Sequence, residues 1–201
     1  GLYDRFADSA SATVVLRFSP VMTGLASLAV ERFSAEDAVM TTRDIRALRF
    51  GLAYELSEIT VIEAILGSSE IDDSVDGVTR GVEAGVTLTH ELPLGAIAIS
   101  FNSELTIAGR RSTLEAQRSF IFPAGTFEIS AGAVDGDNVD PQVVGGLIYT
   151  RELRTGEVSA SLSRNVSVNV DSNVQNTIRA TLGLSQELNA LSSVAFNLDY
   201  I

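Results

Sequence analysis

The sequence predicts an all-β fold, in which about twelve antiparallel strands run up and down and close into one transmembrane barrel. Three observations predict it. Apolar residues alternate with period two, a Glu-Leu pair recurs before predicted tight turns, and 45% of the 201 residues are hydrophobic, with a mean hydropathy of +0.23. No apolar run approaches the roughly 20 residues of a membrane-spanning helix, whereas a strand crosses a bilayer in about 9–11 residues. A barrel accounts for all three observations.

The alternation separates an apolar face from a face of small polar residues. Leu48, Phe50 and Leu52 fall on one side of a predicted strand, while Arg49 and Gly51 fall on the other. A helix would mix these two sets, so the pattern predicts strands. It recurs at 82–89, 97–102, 158–163, 178–185 and 194–200. Residues 11–18 and 22–33 predict a further hairpin around Pro20, with residues 1–10 as an N-terminal extension before a barrel domain at 11–201.

Predicted turns punctuate the strands at regular intervals. A Glu-Leu pair precedes each of four predicted turns, and a Pro-Ala-Gly sequence marks a fifth. The segments are YELSEIT at 54–60, HELPLGA at 90–96, FIFPAGT at 120–126, RELRTGE at 151–157 and QELNALS at 186–192. Polar segments alternate with them at 67–77, 108–112, 135–140 and 171–173. We therefore expect short turns at one end of the barrel and longer loops at the other.

The polar face favours a lumen over the outside of a soluble β-sandwich, which is the alternative. Its residues are mostly Ser, Thr, Gly, Ala and Asn, whereas a water-exposed sheet usually carries many long charged side chains. Arg118 is the main misfit, because it alternates in step with apolar residues such as Ala116 and Phe120 and would therefore point a cation towards lipid. Two arrangements would avoid this: a position near the membrane interface, or a bulge that shifts the register. Tryptophan is absent and aromatic residues make up only 6%, so the expected interfacial girdles are thin. The aromatic residues near predicted short turns are Phe18, Tyr54, Phe120, Phe122, Phe127 and Tyr149.

Charge and cysteine content exclude some functions. The net charge is −12 and all 14 basic residues are arginine, which opposes nonspecific binding to nucleic acid. The absence of cysteine excludes disulfides and thiolate metal sites.

In its hairpin repeat and two-faced strands, the chain resembles the transmembrane barrels of Gram-negative outer membranes, broadly porin-like ones, over residues 11–201. The resemblance implies a passive channel in the cell outer membrane, with outer-membrane lipid and lipopolysaccharide as partners, no cofactor and no catalysis. A homo-oligomer or a larger membrane assembly is compatible with it. The sequence ends in FNLDYI instead of the usual C-terminal aromatic residue, which suggests an incomplete chain.

The candidate functional residues are charged side chains on the predicted lumen face. Acidic residues outnumber basic ones there, which predicts a preference for cations in an open pore. In the alternative, these charges pair with one another and plug a narrow lumen. The residues are Arg17, Arg49, Glu55, Glu83, Glu104, Glu115, Glu128 and Arg179.

Two further functions stay open. A barrel that anchors an assembly or presents acidic loops is the second hypothesis, and an outer-membrane lipid hydrolase with His90 as its base is the third. His90 is the only histidine, and an interfacial side chain explains it adequately. Asp135, Asp137 and Asp140 are weak candidates for a hard-cation site, for which a solvated acidic loop is the simpler interpretation.

Overall fold

The computed structural model describes residues 5–36, 40–75, 77–106, 109–137, 139–168, 174–189 and 192–201. Within these ranges all regular structure is β-strand, and none of it is a helix that could span a membrane. The strands are β1 (Arg5–Ser19), β2 (Met22–Glu36), β3 (Met40–Ser57), β4 (Thr60–Asp73), β5 (Gly77–Leu92), β6 (Gly95–Thr106), β7 (Gly109–Phe122), β8 (Gly125–Gly136), β9 (Val139–Leu153), β10 (Gly156–Val168), β11 (Val174–Asn189) and β12 (Ser192–Tyr200).

The twelve described strands form one sheet in which each strand pairs antiparallel with the next. This confirms the predicted all-β, up-and-down architecture and its strand number. Strand β1 begins at Arg5, so residues 5–10, which were expected to be an N-terminal extension, belong to the sheet. These residues show no clear alternation of apolar and polar side chains, so the sequence did not predict a strand. The backbone nevertheless continues to pair with β2 as far as Ala35.

The sheet is open, so the predicted closure of the barrel is not found. Within the described residues β1 pairs with β2 alone and β12 with β11 alone. All nine residues of β12 are exposed. Alternation determines which side chains share a face, but closure also requires the strand tilt and the stagger between strands to agree around the ring. A local sequence pattern does not specify that agreement.

The predicted hairpin turns are confirmed wherever the structure describes them. Two-residue turns lie at 20–21, 58–59, 93–94, 123–124 and 154–155, and the turn predicted in QELNALS lies outside the described residues. Gly95, just after the Pro93 turn, has a φ of 122°, which L residues with a side chain rarely adopt. A Cβ there would also collide with the carbonyl oxygen of Ser119 on β7. Glycine therefore permits both the turn and the close approach of the next strand.

The polar segments expected to form long connections are largely strand. Strand β4 continues to Asp73 and β5 starts at Gly77, while β8 ends at Gly136 and β9 starts at Val139. The prediction of long loops at 67–77, 108–112 and 135–140 was therefore wrong for the residues that the structure describes, and residues 76, 108 and 138 and the segment 171–173 lie outside them. Polar sequence is compatible with strand here because opposite charges face each other across the sheet, as Arg43 and Asp73 do.

The register keeps the two faces separate along most of the sheet, and the polar face is the more buried one. On the polar face Glu83 is 6% exposed and Val134 is 2% exposed, whereas Val82 and Val143 on the apolar face are 53% and 63% exposed. A single layer of strands buries one of its faces only by curving around it. We call the two surfaces the concave polar face and the convex apolar face.

Candidate functional site

All eight charged residues predicted to line a lumen lie on the concave polar face. Cross-strand pairing connects Arg49 on β3 to Gly67 on β4 and Gly67 to Glu83 on β5, and the same alternation places the others on this side. Glu115 pairs with Gly132, Glu128 with Ile148, and Arg179 with Ser163. The shared face is a structural fact, while their role as lumen residues stays a prediction.

Arg49 and Glu83 form an ion pair that crosses the intervening strand. The guanidinium donates to the Glu83 carboxylate from Nε at 2.5 Å and from Nη2 at 3.2 Å, and the Glu83 side chain is only 8% exposed. The stem of Arg49 passes over Gly67, where a Cβ would lie 2.9 Å from Arg49 Cγ and 2.6 Å from the Leu48 carbonyl oxygen. Glycine at position 67 thus leaves the slot through which the arginine reaches β5.

Six of the eight predicted residues take no part in this pairing, and three of them, Arg17, Glu55 and Arg179, lie apart from any other charged cluster described below. Arg17 turns back to the first hairpin, where it donates to the carbonyl oxygens of Ser19 at 3.4 Å and Pro20 at 3.2 Å. Glu55 and Arg179 are exposed on the concave polar face. These residues contribute charge to the surface without forming a common centre.

A second group of charges surrounds a cavity of about 300 Å³ on the concave polar face of β7–β10. Arg111, Glu115 and Glu128 line it, and small polar side chains such as Ser161 and Ser163 line its other side. Within the described residues, the side chains of the arginine and both glutamates have no hydrogen bond or ion pair, and the Nε of Arg111 is buried. We call this the β7–β10 cavity.

Arg111 is the functional candidate that sequence reasoning missed. Residues 108–112 were predicted to be a connection between strands, so Arg111 was not assigned to either face of the sheet. Arg111 alternates in step with Thr113 and Glu115 on the same strand, and this was the signal that could have placed it on the concave polar face.

Charged side chains border the convex apolar face at the end opposite the two-residue turns. Arg32 donates to both carboxylate oxygens of Asp44 at 2.8 Å, and these hydrogen bonds lower the pKa of the Asp44 carboxyl below its ordinary value. One row nearer the turns, Glu70 accepts from Arg80 at 2.6 Å and lies 3.6 Å from Arg46. A ladder of alternating charge therefore terminates the apolar surface on β2–β5.

A buried ion pair lies at the same end on the concave polar face. Arg43 Nη2 is 2.6 Å from Asp73 Oδ2, and the two side chains are 11% and 6% exposed. Asp73 Oδ1 also accepts the Val75 N–H at 2.9 Å, which stabilises the start of the β4–β5 connection. The pair joins β3 to β4 beside the buried Ile71 on the same face.

Arg118 lies on the convex apolar face, as its parity predicted. Neither β7 pairing has a register shift beside it, which excludes the bulge. Its guanidinium stacks over Phe120, with Cζ 4.5 Å from the ring centroid. The centroid of the Phe120 ring lies 6.0 Å from that of Phe127 and 6.4 Å from that of Phe122. The cation is thus part of an aromatic cluster close to the β7–β8 turn.

His90 also lies on the convex apolar face, next to Thr60. The Thr60 hydroxyl is 2.8 Å from Nδ1 of the imidazole, and Ile97 faces His90 on β6. Glu91, the adjacent carboxylate, belongs to the opposite face by alternation. These contacts describe a hydrogen-bonded strand residue, and no serine is hydrogen-bonded to the ring among the described residues.

The weak candidates for a cation site do not come together as a cluster of ligands. Asp135 lies on β8, Asp140 on β9, and Asp137 in the turn between them, where its carboxylate accepts the Arg110 N–H at 2.8 Å. No cluster of three or more potential metal ligands occurs in the part of the chain that the structure describes.

Comparison with known proteins adds no relative to this description. No family model matches the chain, and no curated protein matches it either.

Proposed function

We propose that this chain forms the wall of an outer-membrane β-barrel that acts as a passive, porin-like channel. The observation that carries the proposal is the convex apolar face, which is exposed along the sheet and bounded by charge. Leu48, Phe50, Leu66, Val82 and Phe101 are each at least 43% exposed. Apolar patches on soluble monomers rarely exceed a few hundred Å², so a surface spanning twelve strands needs an apolar partner such as lipid.

The height of the apolar surface matches a bilayer. On β5 it runs from Val82 to His90, nine residues, with Arg80 immediately beyond it. Membrane-spanning strands use about 9–11 residues and give an apolar band about 25 Å tall. The cluster around Phe120 lies near the two-residue turns, where one interfacial aromatic belt is expected.

The concave polar face would then line the pore. The pairing of Arg49 with Glu83 cancels two charges and Arg17 is bound to its turn, which leaves more unpaired carboxylates than guanidinium groups. The prominent carboxylates of this surface are Glu55, Glu63, Glu104, Glu115 and Glu128. Fixed negative charge in a pore concentrates cations, so the channel would favour them.

Function in a bilayer requires that the edges of β1 and β12 be paired, because unsatisfied backbone groups in hydrocarbon cost several kcal/mol each. We include closure of the sheet in the membrane in this proposal. Pairing of β1 with β12 or with further strands would satisfy it.

Conductance across a planar lipid bilayer tests the proposal. Purified protein should produce stable single-channel steps, and the reversal potential in a salt gradient should show cation preference. The matched variants Glu104→Gln and Glu58→Gln remove one carboxylate from the concave polar face and one from the β3–β4 turn. The first should reduce cation preference and the second should leave it unchanged. Absence of steps from protein that is inserted in the bilayer would refute the channel.

The open edges favour a second candidate, a structural barrel that assembles through its edge strands. An exposed β12 is a template for pairing with another strand. Protein that inserts without conductance, but is cross-linked between β1 and β12 of different copies, would support this function instead.

A further inference from the structure

We propose that the edges of β1 and β12 pair with each other within one chain, in a register that sets Tyr200 opposite Asp8 and Phe196 opposite Ala12. This inference rests on the proposed function for its membrane setting and deepens it, because it names the partner of each open edge. The pairing would close the sheet as a barrel of twelve strands.

The stagger of the strands supplies the register. A row of directly paired residues runs from Thr60 on β4 to Tyr200 on β12. Thr60 is the first residue of its strand, whereas Tyr200 lies eight residues after Ser192, the first residue of β12. At each hairpin the row moves two residues further from the turn, through residues two, four and six places after the starts of β6, β8 and β10. These residues are Ile97, Ile129 and Leu162.

This stagger is the one that a closed barrel of twelve strands requires. Two residues per hairpin equal one residue per strand. With all turns at one level, that stagger tilts the strands by about 35° from the barrel axis, because residues rise about 3.3 Å and strands lie about 4.8 Å apart. Strands in closed barrels tilt by about 35–45°. The described sheet therefore has the tilt at which its two edges can meet.

Continuing the same step around the ring gives the position of β1. The row that reaches Tyr200 meets β2 ten residues after Met22, at Arg32, and Arg32 pairs with Asp8 on β1. Tyr200 is therefore opposite Asp8. The other pairs follow from antiparallel order, so all nine residues of β12 gain a partner on β1.

Side-chain size fits this register on the convex apolar face. Phe196 lies opposite Ala12, and Leu198 lies opposite Ala10. The two large side chains are 54% and 56% exposed on the open edge, and each would meet a small one across the new pairing. Pairs of large and small side chains fill the space between strands without crowding.

Polar side chains meet on the opposite face in the same register. Asn197 lies opposite Ser11, and Asp199 lies opposite Ser9. Cross-strand hydrogen bonds between such side chains favour pairing. A shift of one residue would set every apolar side chain of β12 against the polar face of β1.

Pairing within one chain is favoured over pairing between copies. Both edges belong to the same chain, so their contact does not require a second molecule to lose its translational freedom. Closure also leaves no backbone donor or acceptor of β1 or β12 unpaired in hydrocarbon along the nine paired residues.

Disulfide cross-linking in phosphatidylcholine vesicles tests the register, since the chain has no cysteine of its own. The test variant combines Ser11→Cys with Asn197→Cys, at positions that are directly opposite. Two control variants keep Asn197→Cys and combine it with Ser9→Cys or Thr13→Cys on the same face. Opposite Cα atoms lie about 4.5–5.5 Å apart, whereas diagonal ones lie about 7–8 Å apart, beyond ordinary disulfide reach.

We expect the cysteine pair at positions 11 and 197 to oxidise at least about tenfold faster than either control pair. The product should have the size of one chain on a non-reducing gel, and peptide mass spectrometry identifies the linked residues. Far-UV circular dichroism confirms that each variant keeps its strands. In the unmodified protein, hydrogen exchange should show protection of the β12 amides that point away from β11, and rapid exchange of these amides would contradict closure.

Three results would overturn the inference. Faster oxidation of a control pair would show a different register, a product of dimer size would show pairing between copies, and no cross-link in any variant would show that the edges do not meet. A barrel that is cross-linked as proposed but silent in the bilayer would refute the channel and keep the closure. Stable conductance without the cross-link at 11 and 197 would keep the channel and refute the closure.

Discussion

The charged side chains of the concave polar face form ion pairs in its β3–β5 part and, among the described residues, remain unpaired in its β7–β10 part. In the first, Arg49 reaches Glu83 across Gly67, and Arg43 reaches Asp73 on the adjacent strand. In the second, Arg111, Glu115 and Glu128 line a cavity without pairing. The comparison shows that similar residue types on one surface pair with each other in one region and, in the part of the chain that the structure describes, stay unpaired in the other.

The largest expected effect is the loss of the buried pair in the first region. Arg43→Met removes the guanidinium from the Asp73 carboxylate, and breaking a buried pair from one side typically costs about 3–5 kcal/mol. Urea unfolding in detergent, followed by circular dichroism, measures the change. Arg46→Met is the control. Because the Arg46 side chain is 60% exposed, this substitution should lower the free energy of unfolding by less than about 1 kcal/mol. Equal costs would show that Arg43 is not a structural partner.

Closing the slot in the first region should have the next largest effect. In Gly67→Ala, the added Cβ would lie 2.6 Å from the Leu48 carbonyl oxygen, so β3 and β4 must separate or Arg49 must move. We expect a cost of about 1–3 kcal/mol in the free energy of unfolding. In Gly51→Ala the nearest atom lies at 3.5 Å, so that variant should be neutral or slightly stabilising. A neutral Gly67→Ala would contradict the role assigned to the slot.

Removing one carboxylate from each region should separate stability from permeation. Glu83→Gln weakens a charge-assisted hydrogen bond and should cost about 1.5–3 kcal/mol of stability with little change in ion preference. Glu115→Gln should leave the unfolding midpoint nearly unchanged and lower cation preference in the bilayer. The two regions would lose their distinction if both variants changed the same property.

The smallest effect belongs to the charge ladder outside both regions. Asp44→Asn removes an ion pair whose Arg32 side chain is 63% exposed, so the unfolding midpoint at neutral pH should hardly move. Hydrogen bonds from Arg32 lower the Asp44 pKa in the folded state. The small stability they give is therefore present above the ordinary carboxyl pKa of about 4 and is lost as pH falls below it. Unfolding midpoints of both proteins across acidic pH should converge as the pH falls.

Local pattern was sufficient for the strands, their faces and the described turns. Period-two alternation placed Arg49, Glu83 and Arg118 on the correct sides, and the Pro93 and Pro123 segments marked turns that the structure contains. These features depend on neighbours in sequence, which is why the sequence alone could predict them.

Features that depend on distant partners were not predictable in this way. Strand continues through polar residues because Glu70 meets Arg80 and Arg46 across the sheet, and sequence order alone does not reveal that alignment. The cavity at Arg111 and the open edges likewise depend on curvature and stagger between strands. Single-strand patterns contain no information on either.

Gly67 has a consequence for how this sequence can change over evolutionary time. Positions 49, 67 and 83 lie on three successive strands, and the long side chain at the first reaches the third only while the middle position has no side chain. The three residues therefore form one heritable unit. If a descendant sequence acquires a side chain at position 67, its arginine at position 49 can no longer reach the glutamate at position 83. We therefore expect the three residues to be retained together or replaced together.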